Sequence, residues 1–138
     1  MTIDVKDGSN YFRGLLLLIG KDHQITEREH ALMMRIGRSL GFEAEFCDTA
    51  IRDILDNPFM NDEPPRFSAG ELAEKFIRDG LVLAGADEEI HAAEAGWLRA
   101  VAEANGIDAG PLLEGKSGEG GRERSGMIRL EVEDLRMK

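Results

Sequence analysis

Asp22-His23-Gln24-Ile25-Thr26-Glu27-Arg28-Glu29 decides how this chain is read, because it recurs as Asp87-Glu88-Glu89-Ile90-His91-Ala92-Ala93-Glu94. In each copy Ile follows the Asp by three positions and Glu follows it by seven. A shift of 65 positions aligns the two halves without a gap. Arg13 meets Arg78, Leu16 meets Leu81, Leu18 meets Leu83, Gly20 meets Gly85 and Gly41 meets Gly106. Conservative pairs lie between them: Tyr11 with Phe76, Phe12 with Ile77, Ile36 with Val101, Phe42 with Ile107. Chance matches the apolar faces of two helices readily, but not Gly, Asp, Glu and Gly in one register. The repeat unit is therefore helix, acidic loop, helix over residues 11–42 and 76–107, and two units are expected to pack about a pseudo-twofold axis.

Apolar periodicity places the elements around this repeat. Phe12, Leu15, Leu16 and Ile19 stripe a first helix from Tyr11 to Gly20, after a turn at Asp7-Gly8-Ser9-Asn10. Thr26-x-x-Glu29 has capping-box spacing and opens a second helix, lined by Leu32, Met33, Ile36 and Leu40 and closed by Gly41. A third, Ala44 to Leu55, is expected to bury Phe46, Ile51, Ile54 and Leu55. Ser68-x-x-Glu71 offers a second capping box and opens a fourth helix reaching Ala84, with Leu72, Phe76 and Leu83 on one face. A fifth spans His91 to Asn105, and Asp108 to Leu113 adds a short sixth turn. The expected fold is all-α with five to six helices, a helical domain over residues 1–114. A Gly-rich linker follows at 115–126 and a tail at 127–138. In that tail Ile128, Leu130 and Val132 alternate with charged residues, a strand pattern expected to pair with Ile3-Asp4-Val5 or with a second copy as a homodimer.

Composition limits the function classes. The net charge of −10 repels nucleic acid and anionic membrane surfaces and suits cations or a basic protein partner, while also serving solubility. Cys47 is the only cysteine, which excludes an internal disulfide and a thiolate zinc cluster. Leu15 to Ile19 is the longest apolar run, too short for membrane insertion. With no visible signal peptide, the expected location is cytoplasmic.

The duplicated acidic loop resembles the TerB-like family of tellurite-resistance proteins, small all-helical domains that carry a signature of the form Asp-Gly-x-Ile-x-x-x-Glu twice. The resemblance covers residues 11–113 and carries over to Asp22, Ile25 and Glu29, and to Asp87, Ile90 and Glu94. It implies divalent-cation binding by the carboxylates, Ca²⁺ or Mg²⁺, and a stress-response sensor or scaffold rather than an enzyme. Where the family has Gly, this chain has His23 and Glu88, which adopt positive φ less readily.

Hard cations need several oxygens about one point. Asp22 and Glu29 are the first candidate ligands, joined by Glu27 or His23. Asp87 and Glu94 are the second pair, joined by Glu88 and Glu89. Each also has an ordinary structural role: Glu29 completes a capping box, acids favour helix N-termini, and Asp braces loops. An EF-hand is excluded, because Glu27 and Met33 occupy its glycine and terminal glutamate positions. The first alternative is a metal-free helical interaction module whose acidic face meets a basic protein. The second is a di-metal oxidoreductase using Glu27-x-x-His30 and Glu88-x-x-His91.

Overall fold

The computed structural model describes residues 2–21, 24–56, 63–85, 92–114 and 130–137. Its elements are β1 (Thr2–Ile3), α1 (Val5–Ile19), α2 (Glu27–Ser39), α3 (Ala44–Asp53), α4 (Gly70–Leu83), α5 (Ala92–Ala104), α6 (Ala109–Glu114) and β2 (Arg136–Met137). The described residues also include 3-10 turns at Ile54–Asp56 and Glu131–Asp134. The molecule is all-α, and among the described residues its strands amount to one two-residue parallel pairing of β1 with β2.

Helix α1 starts six residues before the expected Tyr11. Asp4 is its N-cap and accepts from the Asp7 amide at 2.8 Å, so Asp7 to Asn10 are helical rather than a turn. Thr26 and Glu29 form the expected capping box of α2, with both reciprocal bonds present. The second capping box does not form. Ala69 takes the N-cap position of α4, and Ser68 instead donates its amide and hydroxyl to the buried Asp7 carboxylate at 3.1 and 2.5 Å. A carboxylate from α1 outcompetes the local glutamate because it also needs donors to be buried.

Helices α2 and α5 are each 13 residues long, and their bounds differ by the same 65-residue shift. Both end in one hydrogen-bonded turn. Phe42 N bonds Gly37 O at 2.9 Å and Ile107 N bonds Ala102 O at 3.0 Å, across Gly41 at φ 87° and Gly106 at φ 70°. Those left-handed angles are why glycine stands at both positions. The match is not complete, since Gly85 has φ 71° whereas Gly20 is right-handed at −82°.

The core is one cluster drawn from every helix but α6's exposed side, centred on Tyr11, Leu15, Leu18, Met33, Ile36, Phe76 and Leu98. Tyr11 meets the Phe76 ring edge-on at 5.4 Å. Cys47 is a free, buried cysteine. Phe46 is not buried: it is 54% exposed, because Cys47 and Ile51 occupy the inward face of α3, about 100° and 140° around the helix from it. Its ring leans on Phe42 and Phe12 at 5.5 and 6.2 Å.

The tail departs most from its alternation pattern. Leu130, Val132 and Leu135 are buried, yet Glu131–Asp134 is a 3-10 turn and the strand lies later, at Arg136–Met137. Thr2 pairs with Arg136 and Ile3 with Met137, so the partner is the expected N-terminal segment of the same chain. The amides of Glu131 and Val132 are taken by a side chain of α4, which leaves no ladder for an earlier strand.

Candidate functional site

Of the candidate cation ligands, Glu27, Glu29 and Glu94 lie within the described residues, and Asp22, His23, Asp87, Glu88 and Glu89 lie outside them. Glu29 and Glu94 both occupy the third position of their helices and both are buried, at 6% and 4% exposure. One Glu29 oxygen accepts from the Thr26 amide at 2.9 Å, and the Glu29 amide returns a bond to the Thr26 hydroxyl at 3.1 Å. Glu27 is exposed in the first turn of α2. Among the described residues no group of three or more His, Cys, Asp or Glu is arranged to hold a metal.

The other sequence candidates resolve as structural contacts. The His30 ring lies 2.8 Å from Asp48 on α3, and Arg52 pairs with the same carboxylate at 3.0 Å. The hydrogen bond from His30 holds the Asp48 carboxyl below its ordinary value. Arg13 donates to the Glu63 carbonyl at 3.0 Å, and Arg78 pairs with Glu74 one turn back on its own helix. Arg28, beside Glu29, reaches across to donate to the Val82 and Leu83 carbonyls at 2.6 and 3.1 Å. A guanidinium at a helix C-terminus meets both its last carbonyls and its negative dipole end, so α2 caps α4.

The most perturbed acid was not singled out by its sequence. Asp79 sits on the Leu72, Phe76, Leu83 stripe of α4 and is 1% exposed. Its carboxylate accepts from the Tyr11 hydroxyl at 2.6 Å, the Glu131 amide at 2.6 Å and the Val132 amide at 2.9 Å. Burial pushes the carboxyl from its ordinary 3.8 up to about 7, against the lowering effect of those three bonds, and the Glu131 charge adds to the rise. Burial, chiefly, also raises the Tyr11 phenol well above its ordinary 10.0. The signal in the sequence is a carboxylate three residues after Phe76 and four before Leu83, inside an apolar stripe.

A sign follows for stability. The folded chain holds the Asp79 proton more tightly than the unfolded chain does. The stability this contributes is complete below about pH 3.8 and is lost as pH rises through about 7. Denaturant titrations are expected to show stability falling between pH 5 and 7 by up to about 1.4 kcal/mol per pH unit, with no such slope in Asp79→Asn. A wild-type stability that rises over that interval contradicts the assignment.

Between α1 and α3 lies a half-open cavity of about 400 Å³ lined by Phe12, Leu16, Phe42, Phe46 and Ile54, with Asp53 among its walls. Asp53 and Arg13 put one charge of each sign on its lining. No helix among the described residues is long and apolar enough to cross a membrane. Comparison with protein-family models, with curated proteins and with solved structures finds no match to this chain.

Proposed function

We propose that this chain is a non-enzymatic, TerB-like helical module built from a duplicated helix pair, residues 11–42 and 76–107. Its acidic turns at the starts of α2 and α5 bind a divalent cation, Ca²⁺ or Mg²⁺. The observation that carries the reading is the pair Glu29 and Glu94: two buried carboxylates at the same position of two helices with matching bounds and matching glycine ends. Both carboxylates already have partners within the chain, the Thr26 amide for Glu29 among them, and a cation would add to these. Asp22 and Asp87 supply the next oxygens in each copy, and Glu27 and His23, or Glu88 and Glu89, complete the shell. The resemblance to the family gives the module its role, a sensor or scaffold in a stress-response assembly.

A cation that binds only the folded chain must raise the melting midpoint, by about 2.7 kcal/mol of stability at a hundredfold excess over Kd. Melts in millimolar Ca²⁺, Mg²⁺ or Mn²⁺ are expected to shift upward relative to EDTA, and Glu29→Gln with Glu94→Gln to remove the shift. Glutamine still serves a capping box, so these substitutions take away charge and leave the helix start intact. No shift with any of the three ions rejects the cation site.

The second reading is a metal-free interaction module. It is favoured by the exposed Phe46 on the lining of an apolar cavity that Asp53 and Arg13 border. In a chain of net charge −10, that face suits a basic, amphipathic segment of a protein partner.

A further inference from the structure

Residues 130–137 are bound to the helical body as a peptide is bound to a receptor. The body supplies one buried acceptor, Asp79, to two consecutive backbone amides. It supplies two cations to two acidic side chains: Lys75 pairs with Glu131 at 3.2 Å, and Arg35 pairs with Glu133 at 2.8 Å. It buries the apolar positions Leu130, Val132 and Leu135, and the edge of Thr2–Ile3 adds a short pairing beyond them. In a chain of net charge −10, this face is locally complementary to acid. The bound segment meets α2 and α4 together, and fifteen residues separate it from the end of α6.

We propose that the face of α2 and α4 centred on Asp79 is a docking surface for an acidic, apolar peptide segment of a protein partner. In this chain its own residues 130–135 occupy that surface. Recognition divides in two. Asp79 reads a pair of backbone amides, which any sequence without proline there presents. Lys75, Arg35 and the apolar pockets select Leu-Glu-Val-Glu-type chemistry. A covalently joined tail competes at an effective concentration on the order of millimolar, so a partner displaces it only when it binds tightly or is itself held nearby. This inference is independent of the cation reading, because none of its residues belongs to the acidic turns.

Two measurements on the full chain test it. In native-state hydrogen exchange, the Glu131 and Val132 amides are expected to exchange on the order of 100-fold faster than amides at the centre of α4, through an opening that leaves the helices intact. Equal rates would make the tail inseparable from the core and overturn the proposal. Next, Val132→Asp in the full chain frees the surface, and a labelled peptide of residues 130–138 is added. Saturable one-to-one binding is expected. Lys75→Glu should weaken it about tenfold, and a peptide carrying Glu131→Lys should recover the loss. If Val132→Asp does not fold, Glu131→Lys with Glu133→Lys replaces it as the releasing variant. No binding to a folded, released chain overturns the proposal, as does binding indifferent to Lys75→Glu. A wild-type chain that dimerises by exchanging tails would assign the surface to a second copy instead.

Discussion

Asp79→Ala is expected to lower stability by roughly 4 kcal/mol at pH 5, the cost of leaving three buried donors without an acceptor. The Tyr11 hydroxyl loses its acceptor, and the Glu131 and Val132 amides lose theirs together. For a chain of 138 residues this is a fall of at least ~10 °C in melting midpoint. The loss should be smaller at pH 8. There the wild type already carries a buried, ionised carboxylate, because the folded chain gives up its Asp79 proton near 7. Asp79→Asn retains one oxygen acceptor and no charge, so it should sit between the two at pH 5 and lose the pH slope. Asp79→Ala melting within about 2 °C of wild type at pH 5 would mean that the tail contacts contribute nothing to stability.

Gly14→Ala should cost about 3 kcal/mol, at the upper end for overpacking by one methyl. A Cβ there would stand 2.7 and 2.8 Å from two atoms of the Phe76 ring and 2.8 Å from Cγ of Pro65. Neither ring is free to yield. Phe76 is fully buried and wedged between the rings of Tyr11 and Phe67, each at 5.4 Å, and Pro65 is buried too. The Gly14 carbonyl also receives the Trp97 indole N–H at 3.0 Å, so pushing α1 away loosens α5 as well. Gly80→Ala provides the contrast. Its nearest atoms, at 2.7 and 3.1 Å, are methyl ends of Leu98 and Leu18, which can rotate, so about 1 kcal/mol is expected. Gly96→Ala meets nothing within 4 Å on the exposed side of α5 and should stabilise by about 0.5 kcal/mol through helix propensity. Urea titration of the three variants should return that order. A Gly14→Ala no worse than Gly80→Ala would mean the α1–α4 crossing is looser than these distances state.

What could be read from the residues follows how far each cause reaches along the chain. Thr26 and Glu29 are three apart, and their capping box formed as written. Gly41 and Gly106 each close a turn with residues four or five positions away, and both took the left-handed angle that their places require. Ser68 and Glu71 have the same spacing as Thr26 and Glu29 and failed, because Asp7, sixty-one residues earlier, reached Ser68 first. Asp79 lay unnoticed in an apolar stripe for a related reason: Tyr11 is sixty-eight residues before it and Val132 fifty-three after it. Phe46 belonged to the right helix and pointed outward, since periodicity locates a stripe and cannot say which edge of it a neighbouring helix covers. Of the candidate cation turns, Glu29 and Glu94 stand buried at equivalent helix positions, and Asp22 and Asp87 lie outside the described residues.

By itself, then, the sequence determined the helical class, the spacing of α2 and α5, the glycine ends and the apolar faces. Those depend on backbone geometry and hydrophobic periodicity within a few turns. Only the tertiary structure decided the Asp7–Ser68 bond, the Arg28 cap on α4 and the seating of the tail on Asp79. A buried polar group must find its partner wherever packing brings one, and that distance through space leaves no regular mark along the chain.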